Sequence, residues 1–248
     1  MKIFCILILG FFATVSFGYS QSLELKIQKF DIHDCSSLDS MQSNQDSLYE
    51  HERKCNHFYI EWPTIYGESD WVNSRIEQKL QHYICGLIQS DQIDTVEYTS
   101  KLTDEFVLKH NRDASAEWDI SCEYYGSFKN VHQFSVSHGG YYYGAAHGFG
   151  YTQYFHLNSI TGNEIHLQNL FNKTDLEKLS SFTLNKMIKE QEEIWVDDVK
   201  SAFFLSENFL LEANGITFYY NAYEIGPYAM GYPEISITWE EIKSCLTR

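Results

Sequence analysis

Histidine is the first residue type here whose spacing suggests chemistry: His138, His147, His156 and His166 recur every nine or ten positions. Successive strands of that period could bring two or three imidazoles together, as a metal site requires. Such a site also asks for cysteine or carboxylate partners at short intervals, or for His-Glu-x-x-His along one helix face. Neither pattern occurs, so no metal and no cofactor are expected. His147, between Ala146 and Gly148, is expected to bond to backbone and shape its loop. Nucleophilic catalysis finds no better support. There is no Gly-x-Ser-x-Gly elbow and no Ser-x-x-Lys pair in a strand–turn–helix setting. Acidic residues are abundant, but no two are singled out as the carboxylate pair of a glycoside hydrolase.

Two glycine- and tyrosine-rich segments suit recognition better than catalysis. The first runs from Ser137 to Gly148 and holds Tyr141, Tyr142, Tyr143 and His147 among four glycines. Glycines of this density permit tight turns and close approach of another surface. Tyrosine offers a large rigid ring with a polar tip, a type favoured at binding surfaces. Two readings stand side by side: a recognition loop between strands, or a structural turn whose rings fold back onto the sheet. Adjacent strand side chains point to opposite faces, so at least one ring should pack inward. The second segment, Asn221 to Gly231, carries Tyr223, Glu224 and Tyr228 around Gly226-Pro227. Glu224 is either a surface acid beside aromatic anchors or, if buried, a group that needs a partner.

The elements that must position these loops are legible as patterns. Leu23, Leu25 and Ile27 alternate as in a strand, and residues 34 to 54 form a polar loop. His57 to Trp62 reads as a strand ending at Pro63. Val72, Ile76, Leu80, Tyr83 and Leu87 line one helix face, with Ser69 or Asp70 as cap. A weaker helix is expected from Thr103 to His110. Trp118 and Ile120, then Val131 to Ser137, Tyr151 to Leu157 and Glu164 to Leu167, with a turn at Thr161-Gly162, describe an antiparallel meander. Thr174 with Glu177 forms a capping box for a long helix bearing Leu176, Leu179, Thr183 and Met187. Asn214-Gly215 predicts a two-residue hairpin turn at positive φ between Asn208–Ala213 and Ile216–Asn221. Thr238 with Glu241 caps a short last helix.

Lys2 followed by an apolar run to Phe17 and small residues reads as a cleavable secretory leader, too short for a bilayer span. The mature chain is expected to be exported, periplasmic or secreted, without a membrane span. The formal charge is −16. That repels phosphate backbones and argues against nucleic acid, while drawing basic partners in. Cys35, Cys55, Cys85, Cys122 and Cys245 follow the leader. Cys35 with Cys55 is the first disulfide expected, and buried thiols are the rival reading for the rest.

The runs YYYGAAHG (141–148), YFHLNSITGNEIHLQNLF (154–171) and NFLLEANGITFYYNAYEIGPYAMG (208–231) resemble the domain of unknown function 3298. This is the C-terminal extracellular domain of RsiV-type anti-sigma factors. The stretch from Tyr59-Ile60-Glu61-Trp62-Pro63 through Val72–Leu87 is similar to the small domain that usually precedes it. Gly144-Ala145 stands where family members commonly carry two glycines. The resemblance implies an α+β fold, a curved antiparallel sheet packed by helices, with two subdomains in one compact unit. The divisions expected are a leader over 1–21, an N-terminal subdomain over 22–112 and an RsiV-like domain over 113–248. For the RsiV branch it also implies lysozyme binding, and for other members a non-catalytic module beside peptidoglycan deacetylases. The functional expectation is a non-catalytic envelope protein that binds a basic cell-wall lytic enzyme such as lysozyme, or cell-wall glycan. A peptidoglycan- or glycan-active hydrolase and an envelope assembly protein are the alternatives.

Overall fold

The structure, a computed structural model, describes residues 23–34, 56–87, 116–142, 145–190, 195–243 and 246. The leader, the polar loop beyond Asp34, the helix expected at Thr103–His110, Tyr143, and Cys35, Cys55 and Cys245 lie outside the described residues. Among those described, no helix is long and apolar enough to cross a membrane.

The fold is α+β, with two sheets. The larger has five strands in the order β1 (Glu24–Asp34), β2 (Asn56–Tyr66), β3 (Ala116–Phe128), β4 (Val131–Tyr142) and β5 (Phe149–Asn158). Strands β3, β4 and β5 form the meander that their alternation predicts. Strands β2 and β3, however, run parallel, with His57–Ile60 beside Glu117–Ile120, so the sheet is mixed and not wholly antiparallel. Parallel neighbours need a long crossover, and helix α1 (Asp70–Leu87) lies on that connection. This one sheet spans both sides of residue 112. Pro63 does not end β2: it pairs with Ile27 of β1, beyond the last β2–β3 pair, where a missing N–H costs no bond to β3.

Helix α1 begins where the serine cap predicts, with Ser69 Oγ accepting from the Val72 amide at 3.4 Å. Its buried stripe is Val72, Ile76, Leu80 and Ile84. These pack with Phe58, Ile60, Ile120, Phe134, Val136, Phe155 and Leu157 on one face of the sheet. Cys122 is a free buried thiol in this core, pushed up to about 12 by burial and then by Glu61 and Glu123.

The second core lies under the other sheet face. Helices α2 (Leu167–Leu170), α3 (Lys173–Glu190) and α4 (Val196–Ala202) lead into a three-stranded antiparallel sheet, β6 (Phe209–Leu211), β7 (Gly215–Tyr219) and β8 (Glu234–Thr238), then α5 (Trp239–Lys243). Leu179, Met187, Val199, Phe209, Ile216, Phe218, Ile235 and Ile237 fill this core, joined by Val131 from β4. The strand expected at Glu164–Leu167 shrinks to one bridge, Leu157 with Glu164, because Leu167 already opens α2.

Two local signals resolve differently from their pattern. Helix α3 is capped by Asn172 and not by Thr174: Asn172 Oδ1 accepts from the Asp175 amide at 3.0 Å, and Asn172 Nδ2 donates to Asp175 Oδ2 at 2.6 Å. Asparagine outranks threonine as a cap, and here it finds an acid three residues on. The Asn214 hairpin exists, but Glu212 and Gly215 close it, leaving Ala213-Asn214 as the two-residue loop. Neither Asn214 nor Gly215 adopts positive φ. Gly215 is required by crowding, since a β-carbon there would sit 2.2 Å from the Ile237 carbonyl oxygen. The Thr238–Glu241 box is as expected, with Glu241 Oε2 accepting from the Thr238 amide at 2.8 Å and Thr238 Oγ1 from the Glu241 amide at 3.2 Å.

The two sheets are joined by buried side chains that bond to backbone. Gln133 of β4 donates to the Leu211 carbonyl at 2.9 Å and accepts from its amide at 2.6 Å. His156 of β5 donates from Nε2 to the Phe209 carbonyl at 2.6 Å, its ring stacked on Phe209 at 3.7 Å. In return Asn208 accepts from the Tyr154 amide at 3.0 Å. Asn221 accepts from the Thr152 amide at 2.7 Å and donates to its carbonyl at 3.1 Å. All four side chains are buried.

Burial holds His156 down to about 4, outweighing its bond to the Phe209 carbonyl; His166 also pushes it down. A depressed imidazole contributes stability that is complete above its unfolded value and is lost as pH falls. Between pH 6.5 and about 4 this group should remove about 3 kcal/mol of unfolding free energy. Urea unfolding across that window will show the loss, and in His156→Gln the slope should flatten. Asn221→Ala should cost about 2–3 kcal/mol at neutral pH by stranding the Thr152 amide and carbonyl, read by the same titration.

Candidate functional site

Most of the first tyrosine segment is strand, not loop. Strand β4 continues through Tyr142 and β5 begins at Phe149, so Gly139 and Gly140 sit inside a paired ladder. A β-carbon on Gly140 would lie 2.2 Å from the Glu117 carbonyl oxygen. Instead the rings of Trp118 and Phe149, 4.9 Å apart, flank Gly140 on the neighbouring strands, and Tyr142 stacks on Phe149 at 5.5 Å. Tyr142 thus leans on the sheet while 41% exposed. Tyr141, its neighbour on the other face, donates to the Ala145 carbonyl at 2.8 Å and draws the loop closed.

His147 carries the loop tip. Its Nδ1 donates to the Gly148 carbonyl at 2.8 Å, the backbone bond expected of it. That leaves Nε2 as an acceptor, and the Tyr223 hydroxyl reaches it at 3.4 Å. The imidazole stacks on Tyr228 at 4.0 Å and 17°, and Tyr223 and Tyr228 lie 5.6 Å apart. Three rings from two segments, 76 residues apart in the nearer pairing, therefore form one surface. Tyr223 is 63% exposed and Tyr228 37%.

Local geometry in the second segment explains the display. The Glu224 amide donates to the Asn221 carbonyl at 3.1 Å, closing a turn whose third residue, Tyr223, has φ 71°. Non-glycine residues rarely adopt this region, and asparagine or glycine would do so at less cost. An exposed tyrosine held there carries backbone strain of about 1–2 kcal/mol. Glu224 is not a free surface acid. Its Oε2 accepts from the Asn221 amide at 2.8 Å and its Oε1 from Asn221 Nδ2 at 3.2 Å. Burial, then the Glu224 carboxylate, pushes the Tyr151 phenol up. Pro227 leads into a single 3-10 turn, Tyr228–Met230, and Gly231 at φ 74° turns the chain toward Tyr232.

Tyr232 and Asp119 were not singled out by sequence. The Tyr232 hydroxyl comes within 2.7 Å of where a Gly150 β-carbon would stand. It thereby walls a cleft of about 230 Å³ lined by Asp119, Ser137, Gly139, Gly150 and Thr152. A tyrosine five residues after Pro227 carries no local mark of this role. Only the packing over Gly150 reveals it.

The four periodic histidines do not meet. His147 joins the rings, His156 is buried on Phe209, and His166 lies 3.7 Å from Glu207 and 3.9 Å from Glu164. Burial pushes the pKa of His138 down, and among the described residues its Nδ1 has no hydrogen-bond partner. Among the described residues no three His, Cys, Asp or Glu side chains gather as a metal-ligand set. The assembled surface offers ring faces, phenol hydroxyls, an imidazole acceptor and, across the cleft, one carboxylate.

The family described as "Protein of unknown function (DUF3298)" matches residues 168–240. That interval holds Asn208, Asn221, Tyr223, Tyr228 and Tyr232, while His147, Gly150 and Asp119 fall before it. No curated protein matches the chain. Among solved structures, a DUF3298 family member from Bacteroides fragilis is similar at 20% identity and a TM-score of 0.68, covering 92% of this chain and 95% of its own. A DUF3298 family protein from Pseudomonas aeruginosa is similar at 12% identity and a TM-score of 0.64, covering 93% and 97%. At these identities the likeness is one of fold. Residues 168–240 match the DUF3298 family, and along nearly its whole length the chain's α+β fold is similar to structures of that family.

Proposed function

We propose that this protein is an exported, non-catalytic recognition module that grips a basic macromolecule on the His147–Tyr223–Tyr228 surface. The observation that carries the reading is the convergence of these rings from two separate segments, with Tyr223 held at positive φ and left exposed. Rigid aromatic rings give contact area at low conformational cost, and they dominate the energetics of protein interfaces. The net charge of −16 supplies long-range attraction for a cationic partner. A basic cell-wall lytic enzyme such as lysozyme, the partner class implied by the RsiV resemblance, fits both features. The leader-like pattern from Lys2 to Phe17 supports an encounter outside the cytoplasm.

Calorimetric titration with a basic lysozyme provides the test. Binding should appear at low ionic strength and weaken strongly at high salt, as screening shortens the reach of the charges. Tyr228→Ala should lower affinity about tenfold or more, the effect of losing one ring anchor. Tyr223→Gly should do the same while leaving unfolding free energy within about 0.5 kcal/mol, because the glycine relieves the backbone. Absence of binding at low salt sinks the lysozyme version. Salt-independent binding of soluble cell-wall glycan in its place would move the reading to sugar stacking.

A further inference from the structure

Beside the ring surface, one cross-strand row of the larger sheet has an unusual composition. Asp119 on β3 pairs with Gly139 on β4, which pairs with Gly150 on β5. The row therefore runs from a carboxylate across a floor without side chains to the Tyr232 hydroxyl standing over Gly150. On the next row Ser137 and Thr152 bond to each other at 2.9 Å, so their hydroxyls form a polar kerb. This is the cleft of about 230 Å³. Neither glycine has positive φ. At Gly139 a β-carbon would meet the Phe149 carbonyl oxygen at 2.9 Å, and at Gly150 it would meet Tyr232 at 2.7 Å. The bare floor exists because the strands and the tyrosine close in on it.

Around Asp119 the carboxylates Glu61, Glu117 and Glu123 outnumber the one nearby cation, Lys29. Lys29 Nζ is engaged by Glu61 Oε1 at 2.9 Å. Asp119 feels that lysine only through space while Glu61 repels it, and partial burial followed by Glu61 pushes its carboxyl up. Glu117 and Glu123, which flank Asp119 on the same face of β3, are exposed. A cation entering the cleft would relieve this repulsion. From Asp119 to Gly150 the row spans two strand spacings, about 10 Å. An extended lysine side chain with a charge-assisted hydrogen bond at its tip has this reach. Its methylene stem can lie over the glycine α-carbons of the paired ladder while the ammonium meets the acid, as long cationic side chains do elsewhere.

We propose that the cleft between Asp119 and Tyr232 is a subsite for a single lysine side chain of the docked partner. It deepens the recognition reading, since His147 lies three residues before Gly150 and Tyr228 four before Tyr232, so both segments that carry the rings also supply the cleft. Asp119 supplies the charge, Gly139 and Gly150 the stem channel, and Tyr232 the wall that sets its width.

The test is a backbone-amide NMR titration of the mature chain with Nα-acetyl-lysine methylamide, alongside the norleucine analogue as a neutral control. The lysine probe should shift the Gly139, Gly150 and Thr152 amides, with an affinity about tenfold or more above the norleucine probe. Asp119→Asn, a near-isosteric change at an exposed position, should abolish that preference, and Tyr223→Gly should leave it intact. Equal affinity for both probes, an undiminished preference in Asp119→Asn, or shifts confined to other surfaces would each overturn the proposal. The two readings fail separately. Lysine binding without lysozyme binding upholds the subsite and removes the lysozyme partner. Lysozyme binding without a response at Gly139 and Gly150 does the reverse.

Discussion

Every sheet edge leaves a row of amides and carbonyls that must be bonded or wetted, and this molecule bonds several of its own by burying polar side chains between two sheets. Strand β5 closes the larger sheet and β6 the smaller, and among the described residues no strand bridges them. Gln133 and His156 reach from the first sheet to the backbone of β6, while Asn208 and Asn221 reach back to the backbone of β5. Each bond contributes only about 1 kcal/mol net. The larger consequence is exclusion: a slip of either sheet would strand several buried polar groups, each costing about 1–3 kcal/mol. The relative position of the sheets is therefore narrowly defined. Since Asn221 also holds Glu224, the same bonds set where Tyr223 and Tyr228 stand.

Strand β4 is the shared wall of this arrangement. One face gives Phe134 and Val136 to the core beneath α1, and the other gives Val131 and Gln133 to the second core. Toward its far end the side chains shrink to Gly139 and Gly140, and the neighbouring elements move in. Trp118 and Phe149 close around one glycine, while Tyr232 stands over the partner of the other. Packing thus shifts from side chains of the strand itself to rings brought from elsewhere. The DUF3298 match begins only at residue 168, so the ring surface is built jointly by the matched segment and the larger sheet before it.

The acidic character divides into two populations with different physical roles. Several carboxylates are committed within the fold. Glu68 accepts from buried His132 at 3.0 Å, and Glu241 serves both as capping acid and as partner of Lys186 at 2.9 Å. Lys186 and the Thr238 cap hold the Glu241 carboxyl down at about 2. Glu117, Asp119 and Glu123 face outward along one strand, and Glu123 also accepts from the Tyr125 hydroxyl at 2.8 Å. Formal charge counts the two groups alike, but an acid paired with a lysine presents less net charge to an approaching molecule than an acid with no cation beside it.

What local pattern encodes, sequence alone determined. The buried stripe of α1, the β3–β4–β5 meander, the Thr238–Glu241 cap, the β6–β7 hairpin and the backbone bond of His147 all follow from side-chain periodicity or from bonds within a few residues. The tertiary structure decided whatever depends on contacts distant in sequence. It placed β2 parallel to β3, gave Glu224 to Asn221, and set His147 between Tyr223 and Tyr228. It also gave Asp119 and Tyr232 opposite walls of one cleft. Periodicity reports which face of an element is apolar, and carries no record of which distant amide a buried asparagine will bond. Here such bonds decide where the rings meet.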